Sequence, residues 1–219
     1  MSSLQSLEIA MQAKVPAAKL VLQQLPMVTE ITLALIDSAY PQAELTQDQV
    51  AFLMDEPPYW AFCWASGQVM ARYLLDKPEQ VRGKTVIDFG SGSGVVAIAA
   101  AMAGASRSIA LDIDRNALQA TQINASLNQV IVDTGDDLNS LGVDPASSLL
   151  LVADVFYDRE NIPLLERFIN DYQDVIIADS RVKPSELAGM LETARYHSCT
   201  IPDLAESGDF NSVGIYRKC

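Results

Sequence analysis

The sequence is poor in the residues on which common hydrolytic and metal-dependent enzymes rely. His197 is the only histidine among 219 residues, so a catalytic histidine triad is not indicated. The three cysteines, Cys63, Cys199 and Cys219, lack the spacing of zinc ligands, and the sequence predicts no metal site. An odd number of cysteines outside any disulfide framework is typical of reduced thiols, which predicts a cytoplasmic location.

Positive charge is scarce as well. The 15 lysines and arginines face 28 aspartates and glutamates, which gives a formal net charge of −13 and a pI near 4.3. Such a chain gains nothing from counterion release on a phosphate backbone, so nucleic acid is not expected as a substrate. A basic protein segment suits this charge better, although solubility alone explains it equally well. No apolar run is long enough to span a bilayer, and no membrane association is expected.

The most informative stretch is residues 84–114. Residues 84–89 form a short apolar run that predicts a buried parallel strand. Three glycines at alternate positions come next, Gly90, Gly92 and Gly94, and a predicted helix follows them. A second predicted strand, residues 108–111, ends at Asp112. Strand, glycine turn, helix, strand and acid together indicate the nucleotide-binding half of a doubly wound α/β sheet.

Two nucleotide ligands compete for this unit. Residues 92–97, GSGVVA, match the G-x-G-x-x-A form of the dinucleotide fingerprint, which favours NAD. A longer pattern, D-x-G-x-G-x-G over residues 88–94, is typical of the first motif of class I S-adenosylmethionine (SAM) methyltransferases. Its carboxylate, Asp88, would repel a pyrophosphate but suits a ligand that carries an ammonium and a sulfonium. The pattern therefore predicts SAM, with NAD and a ligand-free structural unit as alternatives.

The remaining segments are predicted to complete one α/β protein. Residues 1–58 are expected to form an extension packed on a SAM-binding domain of residues 59–219, with a helical lead-in over 1–26 and a separate strand at 31–36. Ser66 is expected to cap a helix. Further predictions are helices at 115–128, 159–170 and 184–195, and strands at 130–133, 148–153, 174–178, 196–201 and 212–217. The predicted fold is a Rossmann-like, seven-stranded, mostly parallel sheet with an antiparallel last strand and helices on both faces.

Four segments together carry a resemblance to a known family. They are the aromatic run PPYWAFCW with the GQ and RYLLD that follow it, then RGKTVIDFGSGSG, GASRSIALDID and DVFYD. The chain resembles the electron transfer flavoprotein β-subunit lysine methyltransferases, which are seven-β-strand protein lysine methyltransferases. The resemblance implies SAM-dependent methylation of lysine in a protein, with that flavoprotein subunit as the expected target and S-adenosylhomocysteine (SAH) as product. The alternatives are a small-molecule N-methyltransferase of nicotinamide type and a SAM-binding protein without catalysis.

The resemblance also implies a cofactor site around the glycine turn. Asp112 is expected at the ribose hydroxyls, and Asp136 or Asp137 at the adenine amino group, although both could belong to a plain acidic turn. Trp60 and Trp64 are expected to wall the pocket, because a sulfonium and an adenine ring favour aromatic neighbours. One of the two could instead belong to the core. The remaining expected members are Asp88, Gly90, Ser91, Gly92, Gly94 and Ile113.

Asp154 and Tyr157 follow a predicted strand, at the edge where open α/β sheets place their chemistry. By resemblance they face the methyl group and the acceptor nitrogen. A lysine is only about 0.1% neutral near pH 7.4, and a neighbouring carboxylate raises its pKa further. Asp154 is therefore predicted to bind and aim the amine rather than to act as a strong base, with a helix cap as the structural alternative. The chain departs from the family at residues 179–182, DSRV, where a glycine–proline pair is expected.

Overall fold

Strands and helices alternate through most of the chain. The computed structural model describes residues 3–40, 57–156, 158–183, 186–203 and 208–218. Within these ranges the helices are α1 (Ser3–Lys14), α2 (Ala65–Asp76), α3 (Val95–Met102), α4 (Arg115–Leu127) and α5 (Ile162–Asp171). The strands are β1 (Leu20–Gln24), β2 (Thr32–Ile36), β3 (Thr85–Phe89), β4 (Arg107–Leu111), β5 (Asp133–Gly135), β6 (Ser148–Ala153), β7 (Asp174–Asp179), β8 (Met190–His197) and β9 (Ser212–Lys218). No helix in these ranges is long and apolar enough to cross a membrane.

A seven-stranded sheet lies at the centre, in the order β5-β4-β3-β6-β7-β9-β8. The pairs from β5 through to β7 are parallel. Strand β9 is antiparallel to both of its neighbours, β7 and β8. The order reverses between β3 and β6, which is the place where open α/β sheets bind their ligands. The predicted fold, mostly parallel with an antiparallel last strand, is confirmed.

Apolar side chains cover both faces of the central strands. Val86 and Leu149 belong to the core that α2 and α3 share with one face of the sheet. Ile87 and Leu150 belong to the core on the other face, together with Phe168 of α5. Because these strands are buried on both faces, apolar residues follow one another directly in the sequence, as at Val86 and Ile87 of β3 and at residues 149–153 of β6.

The N-terminal segment forms a separate two-stranded antiparallel sheet from β1 and β2. The predicted strand outside the main sheet is thereby confirmed, whereas β1 was not predicted within the helical lead-in. Side-chain amides of α4 hold this sheet by its backbone. Asn124 Oδ1 accepts a hydrogen bond from the N–H of Ala34 at 2.8 Å, and Asn128 Oδ1 accepts one from Thr32 at 2.9 Å.

The prediction of a helix over residues 184–195 is wrong. From Met190 onward the chain is strand β8, which pairs with β9. The sequence PSELAGMLETAR is rich in strong helix formers, but propensity is a weak prior that tertiary pairing overrides. The strand predicted at 196–201 is therefore displaced, since β8 already ends at residue 197.

The third strand of the motif begins later than the predicted residues 130–133. Gln129 has a φ of +57°, and the N–H of Val130 donates to the carbonyl of Ala125 at 3.1 Å. These features form a Schellman cap that ends α4 and delays β5 to Asp133–Gly135. Ser66 is also not a cap, because α2 begins at Ala65 with Trp64 at the N-cap position.

Candidate active site

The glycine turn between β3 and α3 has a backbone that only glycine adopts at low cost. Gly94 is the N-cap of α3 with a φ of +81°, and Gly92 has a φ of +50°. A β-carbon at Gly94 would collide with Thr121, whereas the nearest atom to one at Gly92 is the Cα of Trp60 at 4.0 Å. Gly94 is therefore required by packing, and Gly92 presents bare backbone to open space.

Asp88 lies beneath this turn and is 2% exposed. Its Oδ2 accepts a hydrogen bond from the N–H of Ala97, in the first turn of α3, at 3.0 Å. Burial raises the pKa of Asp88 to about 7; the Ala97 N–H opposes this rise and the charge of Asp112 adds to it. Asp88 thus fixes α3 to β3, and its role at the methionine end of a cofactor stays a prediction.

Asp112 closes the other side of the turn. One carboxylate oxygen accepts from the N–H of Gly92 and the other from the N–H of Asp114, both at 2.9 Å. Burial raises the pKa of Asp112, and the N–H groups of Asp114 and Gly92 oppose that rise. Each oxygen retains a second lone pair, so the group can still accept from two hydroxyls. The next side chain, Ile113, is 91% exposed and offers an uncovered apolar surface.

Asp136 and Asp137 differ in what their carboxylates already do. Asp137 is the N-cap of a short 3-10 turn, and its Oδ1 accepts from the N–H of Asn139 at 3.0 Å. Asp136 is exposed, and within the described ranges its side chain takes part in no hydrogen bond or ion pair. The geometry favours Asp136 as the acid with free acceptor capacity, and its contact with adenine stays a prediction.

The two tryptophans of the aromatic run have different surroundings. Trp60 is 1% exposed and belongs to a core cluster with Leu7 of α1 and Ala117 of α4. Trp64 is half-buried, donates from its indole N–H to the carbonyl of Tyr59 at 3.0 Å, and packs its ring against Tyr59 and Phe62. Trp60 is thus a core residue, as anticipated for one of the pair, and Trp64 keeps an accessible surface.

Asp154 follows β6 and has a φ of +52°, a conformation that is uncommon outside glycine and clusters at functional sites. The hydroxyl of Ser66 donates to its Oδ1 at 2.7 Å, and the N–H of Ser66 donates to its Oδ2 at 3.1 Å. Burial, and then the charge of Asp179, raises the pKa of Asp154 to about 7. The helix-cap alternative for Asp154 is wrong, because Asp158 caps the next turn. Its predicted partner, Tyr157, lies outside the described residues.

Asp179 is a site residue to which the sequence pattern assigned no role. The register of β6 and β7 pairs Ala153 with Ala178, so Asp154 and Asp179 leave neighbouring strands side by side. Asp179 is 1% exposed, and its Oδ1 accepts from the N–H groups of Arg181 and Val182 at 2.7 and 2.9 Å. Burial raises the pKa of Asp179, against the pull of those N–H groups. Register between strands cannot be inferred from spacing within one strand, which is why this neighbour was missed.

Three buried polar atoms at this edge of the sheet have no hydrogen-bond partner in the part of the chain that the structure describes. They are Nε1 of Trp60, Oγ of Ser91 and Oδ2 of Asp179. Such groups are rare in native proteins, and each calls for an explanation. Ser91 stands in the glycine turn and Asp179 beside Asp154, so two of the three mark the predicted cofactor and acceptor positions.

This fold, with its glycine turn and its acids at the strand ends, is that of the class I SAM-dependent methyltransferases. A solved structure with the same fold is magnesium protoporphyrin IX methyltransferase (ChlM) from Synechocystis PCC 6803 with bound SAH. The TM-score is 0.54 and the identity 14%, with 82% of this chain and 91% of that chain covered. At that identity the likeness establishes the fold alone.

Sequence comparisons point to lysine methyltransferases. Residues 69–146 match the family model of ribosomal protein L11 methyltransferase (PrmA). The human electron transfer flavoprotein beta subunit lysine methyltransferase is 43% identical over 113 residues, which are 51% of this chain and 43% of that protein. The Caenorhabditis elegans homolog is 32% identical over 160 residues, covering 66% and 64% of the two chains. These relatives confirm the resemblance, and the chain spans about half the length of the curated relatives it matches.

Proposed function

We propose that this protein is a SAM-dependent N-methyltransferase that methylates lysine side chains of a protein, with electron transfer flavoprotein β-subunit as the first substrate to test. The observation that carries the proposal is that the glycine turn, with its acids, and Asp154 follow two adjacent strands. Strand β3 leads into the glycine turn and β6 leads to Asp154, and the two strands pair in parallel from Thr85 with Ser148 to Phe89 with Val152. A donor site and an amine site therefore lie at one edge of the sheet. The names of the curated relatives support the reaction.

The residues around the turn fit SAM. Ser91 offers a buried hydroxyl without a partner in the described ranges, Gly92 offers open backbone, and Asp112 offers lone pairs for two ribose hydroxyls. Ser91 and Gly92 would hold the methionine end, Asp112 the ribose and Asp136 the adenine. When bound, SAM supplies an electrophilic methyl group on a positively charged sulfur. NAD fits poorly, because the carboxylate of Asp88 lies beneath the turn where a pyrophosphate would bind.

Asp154 would bind the acceptor amine. Ser66 fixes the orientation of its carboxylate through two hydrogen bonds, so a bound ammonium meets an acceptor that is already aimed. Holding the reacting atoms in line can lower a barrier by several kcal/mol, on the order of 7 or more in the best intramolecular cases. A basic segment around the target lysine suits the net charge of −13. A cytoplasmic location remains part of this proposal.

Incubation with tritiated SAM tests the proposal. The purified flavoprotein and nicotinamide are offered in separate reactions, and mass spectrometry locates the labelled residue. Label on a protein lysine supports the proposal, and label only in nicotinamide or other small molecules contradicts it. Binding of SAH by calorimetry without any transfer would identify a non-catalytic SAM-binding protein.

Asp154→Asn is the informative variant for the same assay. We expect its kcat/KM to fall by about 100-fold or more, since an ammonium loses its charged acceptor. Asp158→Asn is the matched control, because Asp158 is an exposed cap four residues later. Asparagine is also a good cap, so this control should change kcat/KM by about twofold at most.

A further inference from the structure

A second acid, Asp179, lies beside Asp154 on the neighbouring strand. The N–H of Asp154 donates to the carbonyl of Ala178 at 3.2 Å, and Asp179 is the next residue on that strand. Oδ1 of Asp179 accepts from the backbone N–H groups of Arg181 and Val182, and the N–H of Phe156 also lowers the pKa of this acid. Oδ2 has no hydrogen-bond partner of normal distance and angle within the described chain. The backbone N–H groups and the charge of Arg181 favour the ionised form of this buried acid, so Asp179 can carry a negative charge beside Asp154.

The side chains that act on this pair come from three segments. Ser66 of α2 hydrogen-bonds Asp154. Burial raises the pKa of the Cys63 thiol, in the aromatic run; a hydrogen bond with Ser93 opposes this rise and the charge of Asp154 adds to it. The guanidinium of Arg181 lies 4.3 Å from the ring centroid of Phe210, and its charge lowers the pKa of both acids. Burial and the repulsion between the two carboxylates raise the pKa values of Asp154 and Asp179 by more than the charge of Arg181 lowers them. The pair therefore favours a bound cation or a retained proton.

We propose that Asp179 is a positioning residue for the acceptor amine that acts through Asp154, by supplying the second negative charge that lets Asp154 take up the proton released by the bound ammonium. This inference rests on the proposed function and deepens it. One proton passes from the ammonium nitrogen to Asp154, and the nitrogen keeps the lone pair. The nitrogen then forms its bond to the methyl carbon as the carbon–sulfur bond breaks, with that electron pair staying on sulfur. The proton leaves Asp154 for solvent, to which the residue as a whole keeps limited access although its carboxyl group is buried.

The raised pKa of Asp154, about 7, makes this transfer feasible. Against a lysine pKa of about 10.4, transfer to an ordinary aspartate of pKa about 3.9 is unfavourable by about 10⁶-fold. Transfer to an acid of pKa about 7 is unfavourable by only about 10³-fold. On the side of the proton acceptor, burial together with Asp179 therefore contributes about three orders of magnitude. Asp154 can then serve as a proton acceptor as well as an aiming group.

Asp179→Asn tests the inference, because it removes the charge and keeps the shape. We expect the acidic limb of the pH profile of kcat/KM, which reports the free enzyme, to move to lower pH by about one unit. We expect kcat at pH 7.5 to fall by about tenfold, while the calorimetric affinity for SAH stays within about twofold. Ser66→Ala should move the limb the opposite way, since it removes a hydrogen bond that lowers the pKa of Asp154. If the acidic limb of the pH profile of kcat/KM lies at the same pH in Asp179→Asn and in wild type, the inference is overturned.

A second measurement needs no turnover. Carbon-13 NMR of aspartate-labelled protein with SAH bound should show a carboxyl signal that titrates near pH 7, is absent in Asp154→Asn and titrates lower in Asp179→Asn. An ordinary aspartate titration at Asp154 overturns the inference. If Asp179→Asn fails to fold, Asp179→Ser, which keeps an acceptor for the turn N–H groups, is measured instead, and an Asp154 titration that stays near pH 7 in that variant overturns the inference. Absence of lysine methylation by wild type would refute the proposed function, while this titration would still decide whether the pair is coupled.

Discussion

A β-carbon at Gly94 would lie 2.6 Å from the hydroxyl oxygen of Thr121. Thr121 belongs to α4, and the same hydroxyl donates to the carbonyl of Gly92 at 3.4 Å. The helix that follows the ribose-side acid is thus in direct contact with the glycine turn. The turn and α4 cannot shift independently, so the backbone that would meet the cofactor is preformed.

Gly94→Ala should destabilise the protein by about 2–4 kcal/mol. The positive φ accounts for about 1 kcal/mol, and the collision with Thr121 accounts for about 1–3 kcal/mol of overpacking. Urea unfolding measures the difference. Gly142→Ala is the matched control, because Gly142 also has a positive φ, +61°, but nothing lies within 4 Å of its β-carbon position. Equal losses in the two variants would contradict the packing argument, and Thr121→Ala should rescue Gly94→Ala in part.

Asp88 should make the ligand-free protein less stable as the pH rises. Its folded pKa, about 7, is above its unfolded value, so its contribution is fully present below about pH 4 and is lost as the pH rises to 7. Asp88→Asn should therefore gain about 3 kcal/mol relative to wild type between pH 5 and 7, at about 1.4 kcal/mol per pH unit. Chemical unfolding at several pH values measures this gain.

Asp174→Asn is the control of opposite sign. Lys84 at 2.7 Å and Arg217 at 3.1 Å lower the pKa of Asp174, so its contribution is present above its unfolded pKa and is lost only at more acidic pH. Between pH 5 and 7 its substitution should lower stability by a constant amount. If the stability difference between Asp88→Asn and wild type also stayed constant between pH 5 and 7, it would contradict the buried position of Asp88.

Asp112→Ala should weaken the calorimetric affinity for SAH by about 30-fold or more. The substitution removes an acceptor for the ribose and also releases the N–H of Gly92. Asp114→Ala, two residues later, removes the cap of α4 and should reduce stability by about 1 kcal/mol with little effect on SAH. Similar losses of SAH affinity in both variants would mean that SAH binding depends on the conformation of residues 112–114 and not on the Asp112 carboxylate.

Asp136→Ala and Asp137→Ala should separate ligand binding from local structure. Asp136 has free acceptor capacity, so its loss should weaken SAH binding by about tenfold, which corresponds to about 1.4 kcal/mol. Asp137 caps a turn, so its loss should lower stability by about 0.5–2 kcal/mol with a smaller change in affinity. Calorimetry and unfolding on both variants give the comparison, and the reverse pattern would assign the adenine contact to Asp137.

Much of the cofactor half of the sheet was predictable because its signals are local. Apolar runs give β3 and β6, and Gly90, Gly92 and Gly94 mark a turn that other residues cannot adopt cheaply. The helix predicted over 184–195 failed because composition there favours a helix while pairing with β9 decides the outcome. Ser66 was recognised as a polar residue near a helix start, but its bonds to Asp154 join residues far apart in sequence. Long-range contacts of that kind depend on the finished topology.

Strand β9 is hydrogen-bonded on both sides, to β7 and to β8. In the described part of the chain β8 has no other strand neighbour, so a proline in the middle of β9 would remove a ladder hydrogen bond and weaken the attachment of this end of the sheet. The register also places Gly214 of β9 opposite Asp179. Water would then reach Asp179 and bring its pKa close to that of an exposed carboxyl group. A substitution in β9, far from the glycine turn, would thus impair the site for the acceptor amine and leave the SAM site unchanged.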